Sequence, residues 1–312
     1  MTNFAVTFPG QGSQSVGMLT DLAEAYPLVK ATFEEASDAL GKNLWLMSQE
    51  GPAEELNMTA NTQPAMLTAG IAVWRVLQEQ TNQRPEMLAG HSLGEYTAMV
   101  ASGVIDFADA VKLVAARGEF MQTAVPSGQG AMAAILGLTD DQVRDVCEQA
   151  AQDEVASAVN FNSPGQVVIA GNAAAIARAI ELATEAGAKR ALPLDVSVPS
   201  HCALMKPAAE QLAAMMQGMT FNTPTIPVIQ NVNVASTNDI PSIQSALAEQ
   251  LYSPVRWVET IESISDEGIE TIIEAGPGKV LSGLCKRIDK SLTALPVLCP
   301  ASLEKALENI NG

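Results

Sequence analysis

Gly90-His91-Ser92-Leu93-Gly94 is a GxSxG pentapeptide set between a short apolar run, Met87 to Ala89, and a helical pattern over Leu93 to Ser102. Its glycines permit a sharp strand-to-helix turn that presents the Ser92 hydroxyl at a sheet edge. The helix that follows offers free N–H groups and a favourable dipole to a forming oxyanion, and the backbone N–H of Leu93 is the nearest donor. This pattern points to acyl transfer through a seryl ester. The plainer alternative is a glycine-rich turn with a helix-capping serine.

A serine hydroxyl needs a base to take its proton. The chain has two histidines, His91 and His201. His91 adjoins Ser92, and neighbouring side chains at a tight elbow diverge. That leaves His201, in Val198-Pro199-Ser200-His201, at a junction between a loop and a helix. A surface or helix-capping histidine is the alternative. No acidic third member stands out, and a backbone carbonyl can orient the imidazole instead.

Phe107 to Gln122 has the spacing of an amphipathic helix, with Ala110, Leu113, Val114, Arg117 and Met121 on one face and Lys112 and Glu119 opposite. Arg117 thus points to the apolar side, where an unpaired cation is costly. It serves either a structural ion pair or a fork that grips a substrate carboxylate with two parallel hydrogen bonds.

These residues need a scaffold, and the bulk of the chain describes one. The 312 residues are 47% hydrophobic, enough for one large domain or two smaller ones with a sizeable core. A net charge of −18 disfavours nucleic acid and anionic membranes as partners. The N-terminus lacks a basic leader and reads as a strand, and no apolar run is long enough to span a bilayer. Four scattered cysteines, Cys147, Cys202, Cys285 and Cys299, fit reduced thiols in a cytoplasm. With two histidines and no clustered cysteines, a metal site is not expected.

Strand and helix patterns alternate: a strand over Phe4 to Phe8, helices from Leu28 to Leu40 and Thr62 to Glu79, then the elbow. This predicts an α/β protein with a parallel sheet. Between Pro126 and Val198 the order becomes βαββαβ: strands over Gly130–Leu136, Val155–Phe161, Gln166–Ala170 and Arg190–Val198, with helices opened by Thr139 and Asn172. That is a ferredoxin-like unit. It is inserted, because alternation resumes with Ala203–Met216, Ile226–Val232, Ile240–Leu251 and Ile269–Glu274. The expected division is 1–125 with 199–312, and 126–198. After Leu295 the tail is weakly patterned.

Gly10-Gln11-Gly12-Ser13-Gln14, Gly90-His91-Ser92-Leu93-Gly94-Glu95-Tyr96, Arg117, Asn160-Phe161-Asn162-Ser163-Pro164, Val198-Pro199-Ser200-His201 and Gly276-Pro277-Gly278 follow one another in this order. The set resembles the malonyl-CoA:acyl carrier protein transacylases of the bacterial, discrete fatty-acid-synthesis type, over about Phe4 to Leu295. The resemblance implies an α/β-hydrolase-like body with an inserted ferredoxin-like subdomain. It implies Ser92 as nucleophile, His201 as base, the backbone N–H groups of Gln11 and Leu93 as oxyanion hole, and Arg117 as clamp on the malonyl carboxylate. Gln63, Asn162 and Ser200 would meet substrate. A main-chain carbonyl replaces the triad acid, with Gln250 its source and Asn231 beside it. No cofactor is implied, malonyl-CoA being a substrate, and a monomer is usual.

Coenzyme A and a carrier protein are both acidic, so this acidic chain needs a basic rim. Lys189, Arg190, Lys279, Lys286 and Arg287 are the candidates, with ordinary solvated charges as the alternative. Rival functions are a serine thioesterase or hydrolase, a non-catalytic acyl-binding subunit, and a transacylase of polyketide synthesis using another acyl-CoA. Ser200 is small beside His201, so acyl selectivity stays open.

Overall fold

The computed structural model describes residues 3–196 and 198–311. Its strands are β1 (Phe4–Phe8), β2 (Met87–Gly90), β3 (Gly130–Leu136), β4 (Ala156–Ser163), β5 (Gln166–Asn172), β6 (Arg190–Pro193), β7 (Val228–Ile229), β8 (Thr271–Ala275) and β9 (Thr293–Val297). Five of them form one parallel sheet in the order β7-β2-β1-β8-β9. β1 is buried at all five positions, as a strand covered on both faces must be. Helix Thr59–Gln80 buries most of its length in the same core.

β1 and β2 end side by side, Phe8 opposite Gly90. The loops that leave them, Pro9–Gln14 and the elbow, therefore emerge together at the carboxyl edge of the sheet. Ligands of open parallel sheets bind at this edge.

The remaining strands form an antiparallel sheet in the order β4-β5-β3-β6. One face packs under helices Asp140–Ala151 and Ala173–Glu185 through Ile135, Val167, Ile169, Val146 and Ile176. A capping box of Thr139 and Gln142 starts the first of these helices. Met132, Val168 and Ala170 on the other face meet Cys202 beside His201.

Several elements differ from the sequence reading. The strand expected over Arg190–Val198 stops at Pro193, the last of its residues in register with β3, and Ser197 lies outside the described residues. The strand expected over Ile226–Val232 keeps two residues, because the chain turns at Gln230 toward the elbow. The weakly patterned tail holds β9 and a helix, Pro300–Asn311, which buries Leu303, Ala306 and Ile310. Helices Trp257–Asp266 and Val280–Ile288 also form where none was expected.

Candidate active site

The elbow owes its shape to close approach. A Cβ on Gly90 would lie 1.9 Å from the carbonyl carbon of Gly94, and one on Gly94 would lie 2.0 Å from the carbonyl oxygen of Phe8. Both glycines let the helix start press against the strand edge. Ser92 absorbs the turn at φ 52° and ψ −110°, a strained conformation for a residue with a side chain. Asn231 staples it: its Oδ1 accepts from the Ser92 N–H at 2.8 Å, and its Nδ2 donates to the Gly90 carbonyl at 2.7 Å.

Ser92 Oγ and His201 Nε2 are 2.8 Å apart, although 109 positions separate them in the chain. His201 Nδ1 is 2.7 Å from the carbonyl oxygen of Gln250. A carbonyl only accepts, so Nδ1 carries the proton and Nε2 is left free to accept from Ser92. Burial, then the nearby Arg117 cation, lowers the His201 pKa to about 3, so the imidazole is neutral at neutral pH. Asn231, expected beside Gln250 as a source of that carbonyl, does not serve it. Its carbonyl accepts from the Arg256 N–H, and its side chain holds the elbow.

Arg117 is 1% exposed on helix Phe107–Ala124. Its Nη1 donates to Gln63 Oε1 at 2.8 Å, and its Nη2 donates to Gln250 Oε1 at 3.0 Å and faces Ser92 Oγ at 3.4 Å. The Tyr96 ring centre lies 5.2 Å from the guanidinium carbon. Nε has no partner among the described residues. The fork is thus held by two neutral amides and aimed at the nucleophile. Gln63, expected against substrate, lies beside the guanidinium.

Gln250 joins the parts. Its backbone oxygen holds His201 and its Oε1 holds Arg117. Its Nε2 donates to the Ser92 carbonyl at 3.0 Å and to Glu95 Oε2 at 2.7 Å.

A cavity of about 120 Å³ opens over Ser92. Gln11, Leu93, Arg117, Ser200 and His201 line one side, and Met132, Asn160 and Val168 of the antiparallel sheet line the other. The N–H groups of Gln11 and Leu93 have no acceptor among the described residues. Asn162, expected against substrate, has its Oδ1 2.8 Å from His91 Nε2, and Asn160 of the same motif lines the cavity. Burial lowers the pKa of His91, so that contact is made by a neutral ring.

The five candidate rim cations are exposed. Lys279, Lys286 and Arg287 line one surface groove with Gln166, and Arg287 Nη1 donates to Gln166 Oε1 at 2.6 Å. Leu136 pairs with both Gln166 and Arg190, and the Lys189 N–H donates to its carbonyl. All five therefore lie near one end of the antiparallel sheet. Among the described residues, no group of three or more His, Cys, Asp or Glu could hold a metal.

Sequence reasoning assigned no role to Glu95, Tyr96 or Asn160. Glu95 had a signal: it is the lone charge in helix Leu93–Ala101, whose other residues are apolar or small apart from Tyr96 and Thr97. Such a helix is buried all round, so its acid is buried with it.

A family model described as acyl transferase domain matches residues 6–297. The chain is 58% identical over 308 residues to the malonyl CoA-acyl carrier protein transacylase of Escherichia coli K12, covering 99% of this chain and 100% of that one. It is 46% identical over 311 residues to that of Bacillus subtilis 168, covering 99% and 98%. The crystal structure of an acyl carrier protein S-malonyltransferase from Vibrio cholerae superposes with a TM-score of 0.95 at 59% identity, covering 97% and 99%. A malonyl-transacylase in complex with a type II PKS acyl-carrier protein gives 0.98 at 55%, covering 99% and 100%.

Proposed function

The chain belongs to the acyl transferase domain family and, within it, to the malonyl CoA-acyl carrier protein transacylases, and from that premise we propose a two-step mechanism for its malonyl transfer. The enzyme moves the malonyl group of malonyl-CoA to the phosphopantetheine thiol of acyl carrier protein, for fatty-acid synthesis. The observation that carries the mechanism is the chain from Ser92 Oγ through His201 to the Gln250 carbonyl, with Arg117 beside it.

Ser92 Oγ attacks the thioester carbonyl carbon while His201 Nε2 takes the hydroxyl proton. The carbonyl electron pair moves onto oxygen, where the Gln11 and Leu93 N–H groups receive it. Loss of one such donor typically costs about 10²–10³ in rate. The intermediate collapses, the C–S bond breaks, and His201 returns the proton to the leaving coenzyme A thiol. The carrier thiol then gives its proton to His201, attacks the seryl ester, and the same steps run in reverse. No step needs a cofactor.

Arg117 receives the malonyl carboxylate. An acetyl group would leave the guanidinium without an anion, so the clamp favours acyl groups that end in a carboxylate. Ser200 leaves room beside His201 for a substituted malonyl group. The exposed cations Lys189, Arg190, Lys279, Lys286 and Arg287 would receive the phosphates of coenzyme A and the acidic face of the carrier.

On this reading, β4-β5-β3-β6 with its two helices is an inserted ferredoxin-like subdomain, 126–198, on an α/β-hydrolase-like body of 1–125 and 199–312. The strand order and the βαββαβ succession support it. The protein works as a cytoplasmic monomer, without nucleic acid or membrane partners. Among the described residues, no helix is long and apolar enough to cross a membrane.

Incubation with malonyl-CoA and phosphopantetheinylated carrier tests the assignment. Malonyl-carrier should form in large excess over free malonate. Release of malonate as the main product would make the protein a hydrolase.

A further inference from the structure

Arg117 is buried, and among the described residues no carboxylate lies within ion-pairing distance of it. An uncompensated buried cation is costly. A carboxylate seated directly in its fork would shut out a substrate carboxylate. Glu95 meets both demands. It is fully buried one turn past Ser92, and its Oε2 accepts from Asn231 N at 3.0 Å and from Gln250 Nε2 at 2.7 Å. Gln250 in turn presents Oε1 to Arg117 at 3.0 Å. Because a carboxylate only accepts, Glu95 fixes which end of the Gln250 amide faces the guanidinium.

We infer that Glu95 is a positioning residue that acts through Arg117: a counter-ion held one amide away from the fork, which limits the grip on the malonyl carboxylate without occupying the site. The inference rests on the reading of Arg117 as the malonyl clamp. The Glu95 charge stabilises the empty guanidinium and repels an incoming carboxylate. A limited grip suits an enzyme that must release its malonyl group to the carrier, since tighter binding of ground and transition states alike lowers KM without raising kcat.

Among the described residues, two ionisable groups bear on Glu95: Arg117 from helix Phe107–Ala124, and Tyr96 beside it on its own helix. Asn231 and Gln250, from the other segments packed against it, are neutral. Burial raises the Glu95 carboxyl to about 7, against the pull of its hydrogen bonds and of Arg117. The carboxylate, and with it the repulsion, thus develops as pH rises through neutrality.

Steady-state constants for malonyl-CoA and acetyl-CoA in wild type, Glu95→Gln and Arg117→Ala test this. Glu95→Gln keeps the shape and an acceptor for both N–H donors while removing the charge. Its KM for malonyl-CoA should fall about fivefold with kcat within about twofold of wild type, and the acetyl-CoA constants should stay put. In wild type, the ratio of malonyl-CoA to acetyl-CoA KM should rise between about pH 6 and about pH 8, and in Glu95→Gln it should be flat. The coenzyme A phosphates cancel in that ratio. A merely structural role predicts the opposite sign, a raised KM or equal losses for both substrates. An unchanged or raised malonyl-CoA KM in Glu95→Gln overturns the inference. So does a flat wild-type ratio, which is readable even if the variant does not fold. Equal losses of malonyl and acetyl transfer in Arg117→Ala would instead remove the clamp reading itself.

Discussion

On the elbow side of the cavity, Ser92, Asn231, Gln250, His201 and Arg117 are joined by hydrogen bonds of 2.7–3.0 Å between residues 49 to 158 positions apart in the chain. On the sheet side, Met132, Val168, Leu194 and Val196 offer apolar contact, and the candidate rim cations stand in solvent near one end of that sheet. The first wall fixes reacting atoms and tolerates little displacement. The second has to admit a long pantetheine arm from two carriers, coenzyme A and a protein, so it makes shape and charge available without locking them. Substitutions on the two walls and at the cationic rim should therefore differ in kind.

Gly94→Ala should do most damage, because its Cβ would sit 2.0 Å from the Phe8 carbonyl oxygen, within the backbone itself. We expect a loss of stability above about 3 kcal/mol, seen as a collapse of soluble yield or of the melting temperature. Next comes Arg117→Ala, which keeps the fold and should lower kcat/KM for malonyl-CoA by about 10²-fold while moving acetyl-CoA by only a few-fold. Smallest is the effect at the cationic rim. Lys286→Glu with Arg287→Glu should raise the KM for carrier protein by about tenfold and flatten its salt dependence, with kcat unchanged. If the rim substitutions abolished turnover, the division between the walls would be wrong.

Much of this was legible in the sequence, for identifiable reasons. The Ser92 elbow shows in five consecutive residues. His201 stands out because only one other histidine exists, and Arg117 because its helical spacing puts a cation on an apolar face. Helix Pro300–Asn311 is marked by Leu303, Ala306 and Ile310 at helical spacing, a stripe too sparse among polar residues to stand out from a weakly patterned tail. Other features have no local signature. The Asn231 staple and the Gln250 hub reach the elbow across 139 and 158 positions, so no sequence window contains both partners. The contact of Asn162 Oδ1 with His91 Nε2 likewise joins residues 71 positions apart, and motif membership does not reveal it. The short β7 follows from a turn that only its tertiary partner dictates.

The most direct test of the account is the intact mass of the protein after brief mixing with malonyl-CoA, for wild type, Ser92→Ala and His201→Ala. One malonyl group should add to wild type within the mixing time, none should add to Ser92→Ala, and addition to His201→Ala should be slowed by about 10³-fold or more. A malonyl group on Ser92→Ala, or undiminished acylation of His201→Ala, would contradict the claim that this imidazole activates this hydroxyl.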